Sequence, residues 1–362
     1  MKILSSLHSY NITGVLKQNI SLLKYLRTSA GIDALVIGPN KNLGMEILEE
    51  EGFIAETTFG RSINDILHRH NFHPDLILSE SLFSSDVSDL SKEIGAKHII
   101  RIHEEIPFQS GKGLWLLPYR PINEYFQKFR NSKVIFPSSH TANHYRMPLQ
   151  EFDIDFSVIH GSIDEERLKE QKEVLNFSDF QILQLGTLYE RKGGINTLES
   201  FFNFLNKEGV ENANLIFAGV RNANEKEIQY KERLERRAKE LGIEEKVRFY
   251  DSMKNPYALM KGSSIVTLHS YSECFPTVFL EAMYFGKMIV SSNVGGVGEQ
   301  VYEGVTGYLF NSGDINEQSN AFSKLYDERH LLESKSKIIK DRYIDYFSQE
   351  SSGDKFLNFL EK

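Results

Sequence analysis

The sequence has very little cysteine and no long apolar run. Its 362 residues include one cysteine, Cys274, which excludes an intramolecular disulfide and any site built from several cysteine ligands. No apolar stretch approaches the ~20 residues that a helix needs to cross a bilayer. The apolar part of the opening MKILSSLHSY is too short for a signal peptide. We therefore expect a protein of a reducing, cytoplasmic compartment.

Acidic residues outnumber basic ones, 50 to 42, and neither a dinucleotide-binding motif nor a well-placed metal motif is found. The net charge of −8 argues against double-stranded nucleic acid as a partner. The loop from His8 to Gly14 lacks the G-x-G-x-x-G pattern of a nicotinamide dehydrogenase. Asp153 and Asp155 form an Asp-x-Asp, but the pair precedes a predicted strand instead of ending one. We therefore expect no metal site and no cofactor.

What is present is the composition of a globular protein with two cores. Hydrophobic residues make up 40% of the chain and aromatic residues 12%, and a chain of this length commonly divides into two domains. Strands and amphipathic helices alternate along it, which predicts two doubly wound α/β domains. We predict a first domain over residues 1–152, a second over 153–340 that opens with strand 157–159, and a final helix within 341–362 that packs back on the first domain.

The densest concentration of chemistry lies within Val266–Phe310. A short apolar strand is followed by a polar loop containing Glu273, and then by a helix that is predicted to begin at Pro276. Proline suits the first turn of a helix because it has no N–H to lose. The N–H groups of Thr277 and Val278 would then lie at the positive end of the helix dipole, which attracts phosphate.

A second acid, Glu281, lies inside that helix, with seven residues between it and Glu273. Two carboxylates beside a phosphate-binding helix end could accept hydrogen bonds from two hydroxyl-bearing rings that flank one phosphate group. That arrangement is typical of a site for a nucleotide sugar.

The Glu273-x7-Glu281 pattern resembles the signature of glycosyltransferase family 4, which are retaining enzymes of the GT-B fold. The residues that extend the resemblance are Gly286, Gly295, Gly296, Glu299, Thr306 and Gly307. The resemblance implies two facing Rossmann-like domains with the active site in the interdomain cleft. It also implies transfer of a sugar, without a catalytic metal, from a nucleotide diphosphate sugar to a glycan or lipid-linked saccharide. Attack would come from the same face, without a protein nucleophile.

The resemblance also implies roles for individual residues. Glu281 would bind the ribose hydroxyls, Glu273 a hydroxyl of the transferred sugar, and Lys192 the diphosphate. His103, at the end of a predicted strand, matches the histidine that lies against the transferred sugar in the family. Gly14 matches one glycine of a pair near the donor phosphate and the acceptor. The adjacent acids Glu104 and Glu105 are interpreted as solvated loop residues or helix-start charges.

A second phosphate-binding pattern precedes this region. Gly186 and Thr187 follow a buried strand, and Arg191 and Lys192 come shortly after them, before two glycines and a helix. Backbone N–H groups and cations in such a loop can neutralise a diphosphate leaving group. The family's usual arginine position is Thr187 here, so Arg191 is the candidate replacement. The N–H of Phe275 would assist at the second helix end.

Residues 106–150 are basic and aromatic, with six Lys or Arg against one acid, Glu124. Two interpretations stay open for this segment. The favoured one is an ordinary helix with a core stripe and a solvated face. The other is a surface for an anionic acceptor or for the inner face of a membrane, which would make the protein peripheral to it.

Two other functions stay open as well. A non-catalytic nucleotide-sugar-binding protein would keep the donor residues and lose turnover. A retaining glycosidase also uses two carboxylates, about 5 to 5.5 Å apart. It has no use, however, for Lys192 beside a phosphate-binding helix end, so it is the less favoured of the two.

Overall fold

The computed structural model describes residues 1–82, 87–104, 122–207, 209–220, 224–251 and 256–361. The chain divides into two compact units, which we call unit 1 and unit 2. Unit 1 consists of Met1–Asp164 and Phe347–Lys362, and unit 2 of Glu165–Tyr346.

Each unit contains one sheet whose strands all run parallel. In unit 1 the strands are β1 (Lys2–Leu7), β2 (Asp33–Gly38), β3 (Ile54–Thr57), β4 (Leu76–Glu80), β5 (Lys97–Arg101), β6 (Lys133–Phe136) and β7 (Phe156–Val158), and they pair in the order β3-β2-β1-β4-β5-β6-β7. In unit 2 they are β8 (Phe180–Leu185), β9 (Ala213–Val220), β10 (Val247–Asp251), β11 (Ile265–Leu268), β12 (Met288–Ser292) and β13 (Gly307–Phe310), in the order β10-β9-β8-β11-β12-β13. These orders confirm the predicted doubly wound α/β class.

Helices connect the strands. They are α1 (Gly14–Ala30), α2 (Leu43–Glu50), α3 (Ile63–Arg69), α4 (Val87–Ile94), α5 (Ile122–Lys128), α6 (Ser139–His144), α7 (Arg146–Glu151), α8 (Glu165–Lys169), α9 (Gly194–Leu205), α10 (Glu225–Glu240), α11 (Tyr257–Gly262), α12 (Thr277–Tyr284), α13 (Val297–Gln300), α14 (Ile315–Asp327), α15 (Leu332–Phe347) and α16 (Gln349–Glu361). Short 3₁₀ turns supplement them, and the one that matters for the site is Glu190–Lys192.

The central strands are largely buried, as expected for parallel strands that helices cover on both faces. All six residues of β8 and all four of β11 are buried. The direction of winding reverses between β1 and β4 in unit 1, and between β8 and β11 in unit 2. Crevices for ligands form at such reversals, outside the carboxyl ends of the strands.

The boundary between the units differs from the predicted one. Strand β7 pairs in parallel with β6, with Val134 opposite Phe156 and Phe136 opposite Val158. The extended segment that was expected to open the second domain is therefore the last strand of the first sheet. The chain enters unit 2 only after Asp164.

The last helix, α16, belongs to unit 1. Phe356, Phe359 and Leu360 join the same apolar core as residues of α1. Gly353 allows a close approach, because a Cβ there would meet the ring of Tyr25 at 2.0 Å.

Candidate functional site

The loop after β11 holds a buried carboxylate, Glu273, and other protein groups bind to one of its two oxygens. Lys192 Nζ lies 2.5 Å from Glu273 Oε1, Ser270 Oγ donates to the same oxygen at 2.6 Å, and Arg191 lies 3.5 Å from it. Glu273 is 7% exposed. Within the described part of the chain, no side chain or backbone group donates to Oε2. Oε2 is therefore the oxygen left for a ligand hydroxyl.

Two cations converge on this single anion. Burial by itself raises the pKa of the Glu273 carboxyl, but the charges of Lys192 and Arg191 and the hydrogen bond from Ser270 together lower that pKa below its usual value. Glu273 is therefore ionised at neutral pH, and the group of three carries one excess positive charge. Arg191 is half exposed, so its guanidinium faces solvent as well as the loop.

The turn after β8 delivers both cations. The N–H of Tyr271 donates to the carbonyl of Arg191 at 2.9 Å, and Arg191 itself donates to the carbonyl of Ser272. Gly193 has φ 63°, and a Cβ there would meet the carbonyl oxygen of His269 at 2.0 Å. Only glycine permits this approach, which brings the turn against the loop that carries Glu273.

Gly186 and Thr187 lie at the start of that turn. The N–H of Gly186 donates to the carbonyl of Ala218 at 2.9 Å, at the carboxyl end of β9. Its φ of 141° favours glycine, and a Cβ on the facing Gly219 would meet the Gly186 carbonyl oxygen at 2.5 Å. The carbonyl of Thr187 accepts from the N–H of Tyr189 at 3.2 Å. At the point where the turn leaves the sheet, the backbone of Gly186 therefore packs directly against that of Gly219.

Helix α12 begins one residue later than predicted. Pro276 has φ −65° and ψ 119°, which is an extended conformation, so it is the N-cap and Thr277 is the first helical residue. The N–H of Phe279 donates to the carbonyl of Pro276 at 3.2 Å. The N–H groups of Thr277 and Val278 precede that bond and have no acceptor within the helix. The prediction that these two groups face an anion is unaffected by the shift.

The glycine-rich loop after β12 and helix α13 donate hydrogen bonds to the residues just before α12. The N–H of Gly296 donates to the carbonyl of Cys274 at 2.9 Å, and Gln300 Nε2 donates to the carbonyl of Pro276 at 3.1 Å. Phe275 lies between Cys274 and Pro276 in the sequence, and its side chain is buried. The backbone around Phe275 is therefore held in one conformation.

The second acid of the motif, Glu281, is 1% exposed in the middle of α12. The hydroxyl of Tyr257, the first residue of α11, donates to Glu281 Oε1 at 3.2 Å. Residues 252–255, in the loop before Tyr257, lie outside the described part of the chain.

A buried histidine, His269, stabilises the loop before Glu273, and sequence reasoning did not identify it. Its Nδ1 lies 2.6 Å from Gln318 Oε1, and its Nε2 accepts from the N–H of Gly313 at 3.0 Å. Gln318 Nε2 in turn donates to Thr267 Oγ1 at 2.9 Å. Burial lowers the pKa of His269, which agrees with a neutral ring in this network. The sequence feature that could have identified His269 is a His-Ser pair directly after a buried strand.

His103 belongs to unit 1, at the carboxyl end of β5, and its partner is a residue that the sequence reasoning missed. His103 Nε2 lies 2.8 Å from Glu80 Oε2, and Glu80 is completely buried. Glu80 Oε1 also accepts from Arg101 at 2.9 Å and from Asn19 at 2.9 Å. The sequence feature that could have identified Glu80 is a single acid at the end of the strand sequence LILSE.

Three further predictions concern unit 1. Gly14 is the first residue of α1, after the extended N-cap Thr13. The interpretation of Glu104 as a solvated acid is wrong, because its carboxylate accepts from Ser81 Oγ and from the N–H of Leu82. Glu105 lies outside the described residues.

Much of the basic and aromatic segment 106–150 also lies outside them, since the description resumes only at residue 122. The two interpretations of that segment therefore both stay predictions. In the part of the chain that is described, no helix combines the length and apolar character required to cross a membrane.

Comparison with protein families supports the assignment of unit 2. The family model for glycosyl transferases group 1 matches residues 165–343. The alpha-1,3/1,6-mannosyltransferase ALG2 of Dictyostelium discoideum is 28% identical to this chain, over 64% of this chain and 61% of the relative. The N-acetyl-alpha-D-glucosaminyl L-malate synthase of Bacillus anthracis is 30% identical over 31% of this chain and 29% of its own length. The chain thus matches less than two thirds of either relative.

A solved structure extends the similarity to the whole chain. HepE of Anabaena, in complex with UDP and glucose, superimposes with a TM-score of 0.79 at 18% identity, covering 100% of this chain and 99% of that one. At this level of identity the similarity shows the fold, and it confirms the fold class predicted from the sequence.

Proposed function

Because residues 165–343 of this chain match the family model for glycosyl transferases group 1, we propose that the protein transfers a sugar from a nucleoside diphosphate sugar to a glycan or lipid-linked saccharide. The donor binds to the residues of unit 2 that meet around Glu273. The transfer retains the anomeric configuration of the sugar and uses no catalytic metal.

The observation that carries the proposal is the one-sided occupancy of Glu273. Protein donors hold Oε1, and Oε2 is left for a ligand. A carboxylate that binds a sugar hydroxyl needs one such oxygen, fixed in direction by the other. Lys192 and Arg191 lie beside it and leave the three groups one excess positive charge, which favours binding of a diphosphate anion.

These cations support the electrostatic part of the mechanism. When the bond between the anomeric carbon and the phosphate oxygen breaks, negative charge develops on the leaving diphosphate. Lys192, Arg191 and the N–H groups of Thr277 and Val278 stabilise that charge. The acceptor oxygen forms the new bond on the same face, and its proton passes to the departing phosphate. No bond to the protein is formed.

The remaining predicted residues complete the donor site. Glu281 accepts hydrogen bonds from the ribose hydroxyls, and the backbone at Gly186, Thr187 and Phe275 lies along the phosphates. His103 and Gly14, both in unit 1, contact the transferred sugar and the acceptor side of the reaction. These roles follow the resemblance and stay proposals.

The charge state of Glu273 argues against Glu273 as the general acid of a glycosidase. A retaining glycosidase needs one carboxyl that stays protonated until it acts as an acid. The pKa of Glu273 is lowered by its cationic neighbours, which favours the ionised form. An ionised acceptor of hydroxyl groups fits donor binding, and it does not fit a general acid.

A binding screen tests the donor site. We would measure by calorimetry the affinities for UDP, GDP and ADP and for their glucose conjugates. We expect one nucleotide to bind, and Lys192→Met to weaken it about 10- to 100-fold, since a charged hydrogen bond contributes about 1.5 to 3 kcal/mol. Lys335→Met is the matched control, because Lys335 of α15 forms a 2.6 Å pair with Glu328, the C-cap residue of α14, in the same unit. Equal effects of the two variants, or no binding at all, would contradict the proposal.

Turnover separates the enzyme from a binding protein. Incubation of the bound nucleotide sugar with glycan and lipid-linked acceptors is expected to release the nucleoside diphosphate. The NMR coupling of the new anomeric proton is expected to show the configuration of the donor. Retained binding with no release, over all acceptors, would favour the non-catalytic alternative.

Membrane contact is tested separately. Sedimentation with vesicles that contain 30% anionic lipid at low salt, compared with neutral vesicles, reports whether the basic segment 106–150 holds the protein at a membrane surface. Equal sedimentation with both kinds of vesicle would leave the ordinary-helix interpretation.

A further inference from the structure

Unit 1 holds a buried carboxylate that the proposed chemistry does not use. Glu80 is the last residue of β4, and none of its surface is exposed. Parallel pairing places it opposite Leu7 of β1 and Arg101 of β5. Residues opposite each other in neighbouring strands point to the same face of the sheet. Glu80 and Arg101 therefore meet on one face, at the end of the sheet where ligands bind.

Both oxygens of Glu80 are occupied. Oε1 accepts from Arg101 at 2.9 Å and from Asn19 of α1 at 2.9 Å, while His103 Nε2 lies 2.8 Å from Oε2. Burial by itself raises the pKa of the Glu80 carboxyl, and the charge of Arg101 with the bonds from His103 and Asn19 lowers it below the usual value. A carboxylate in this position would be very costly without such donors.

The contact with Glu80 decides which ring nitrogen of His103 carries a hydrogen. A carboxylate oxygen only accepts, so Nε2 donates its hydrogen to Glu80 Oε2. In the neutral ring this places the single proton on Nε2. Nδ1 then carries a lone pair, and no group in the described residues donates to it. With only 7% of its side chain exposed, His103 has little freedom to turn away.

We propose that Glu80 is a positioning residue that holds His103 as the Nε2–H tautomer, so that Nδ1 accepts a hydrogen bond from a substrate hydroxyl. A lone pair at Nδ1 admits groups that can donate and rejects groups that only accept, such as phosphate and carbonyl oxygens. The identification of the hydroxyl as one of a sugar rests on the proposed function. The tautomer does not.

The first test uses the wild-type protein and no ligand. Long-range ¹H–¹⁵N NMR distinguishes protonated from unprotonated ring nitrogens, and His103→Gln assigns the signals. At pH 7.5 we expect Nε2 of His103 protonated and Nδ1 unprotonated. An Nδ1–H tautomer, or a doubly protonated ring, would overturn the proposal.

The second test removes the carboxylate. Glu80→Gln is expected to give His103 a mixture of the two neutral tautomers, because an amide can donate to Nε2 as well as accept from it. Glu56→Gln is the matched control, since Glu56 Oε1 lies 2.8 Å from His70 Nε2 in the same unit, and it is expected to leave His103 unchanged. An unchanged tautomer in Glu80→Gln would show that Glu80 does not set it. If Glu80→Gln does not fold, Glu80→Gln/Arg101→Gln removes both charges and takes its place.

Turnover links the tautomer to function. With UDP-glucose as the probe, we expect Glu80→Gln to lower kcat about tenfold and to change nothing further in a His103→Ala background. A full effect in that background would mean that Glu80 acts on the fold alone, and would overturn its positioning role. If the wild type releases no UDP from any nucleotide sugar while the NMR result holds, the proposed function fails and the tautomer assignment stands.

Discussion

Glu273 in unit 2 and Glu80 in unit 1 have the same kind of position and opposite kinds of occupancy. Both are buried carboxylates beyond or at the carboxyl end of a parallel strand, Glu273 in the loop after β11 and Glu80 as the last residue of β4, and both are paired with cations. Glu80 uses both oxygens for Arg101, Asn19 and His103. Glu273 receives its described donors on Oε1.

The difference is the one expected between a group that binds a ligand and a group that positions a neighbouring side chain. A buried carboxylate with both oxygens bonded has nothing left to offer a ligand, and its value lies in the orientation it gives its neighbours. A carboxylate held by one oxygen is equally ordered, yet it keeps an acceptor for a substrate. Four changes would break or sharpen this comparison.

The largest effect is expected from Glu80, because both of its oxygens accept hydrogen bonds. Glu80→Gln leaves Arg101 buried without its counter-charge, and we expect the free energy of unfolding of unit 1 to fall by about 3 to 5 kcal/mol. Urea unfolding followed by circular dichroism measures it. Glu56→Gln, which breaks a less buried ion pair, is expected to cost about 1 kcal/mol or less. Equal losses would remove the distinction between the two carboxylates of unit 1.

Glu273, which has one oxygen bonded, should show a large loss of turnover and a small loss of stability when it is substituted. Glu273→Gln is expected to lower kcat/KM for the nucleotide sugar about 100- to 1,000-fold, because it removes an ionised acceptor aimed at the substrate. Its thermal midpoint should change much less than that of Glu80→Gln. A large loss of stability with little loss of turnover would assign Glu273 a structural role.

His98 sharpens the comparison because it is buried without a counter-charge. Its Nε2 and Nδ1 each lie 2.8 Å from a serine hydroxyl, those of Ser79 and Ser132. Burial, and to a lesser degree the charge of Lys92, lowers its pKa from 6.5 to about 4. The folded state thus keeps the neutral ring while the unfolded state takes up a proton.

Stability from His98 is therefore present above pH 6.5, is lost as the pH falls towards 4, and changes no further below that. Between pH 7.5 and 5 the loss is about 2 kcal/mol. Urea midpoints at the two pH values measure it, with His98→Gln as the control that should lose this part of the pH dependence. An unchanged pH dependence in the variant would mean that other groups cause it.

The smallest effect is expected at Ser270. Ser270→Ala removes one donor from Glu273 Oε1 and leaves Lys192 in place. We expect kcat/KM to fall about fivefold, which corresponds to about 1 kcal/mol. A loss as large as that of Glu273→Gln would show that the serine, and not the lysine, holds the carboxylate.

Much of unit 2 was predictable because its chemistry lies close together in sequence. The strand, loop and helix around Glu273 and Glu281 follow one another within a few residues, so periodicity and helix-end rules apply directly. The start of the helix was placed one residue early, since Pro276 has a helical φ and an extended ψ. Proline fixes only φ, and the ψ of this residue depends on its surroundings.

Unit 1 was harder to predict because its cluster is assembled from distant segments. Asn19, Glu80 and His103 are far apart in sequence, and no local pattern connects them. The same reason explains the error at the domain boundary. Whether the extended segment Phe156–Val158 opens one sheet or closes another depends on which edge is free to pair with it.

The sequence by itself determined the α/β class, the helix end near Thr277 and the acids and cations near it, because each follows from short-range periodicity, turn chemistry or residue type. Only the tertiary structure decided which oxygen of Glu273 stays open, which carboxylate orients His103, and where unit 1 ends. These depend on contacts between segments far apart in the chain. Such contacts form only when strands pair and helices cover them, and residue order alone does not specify their geometry.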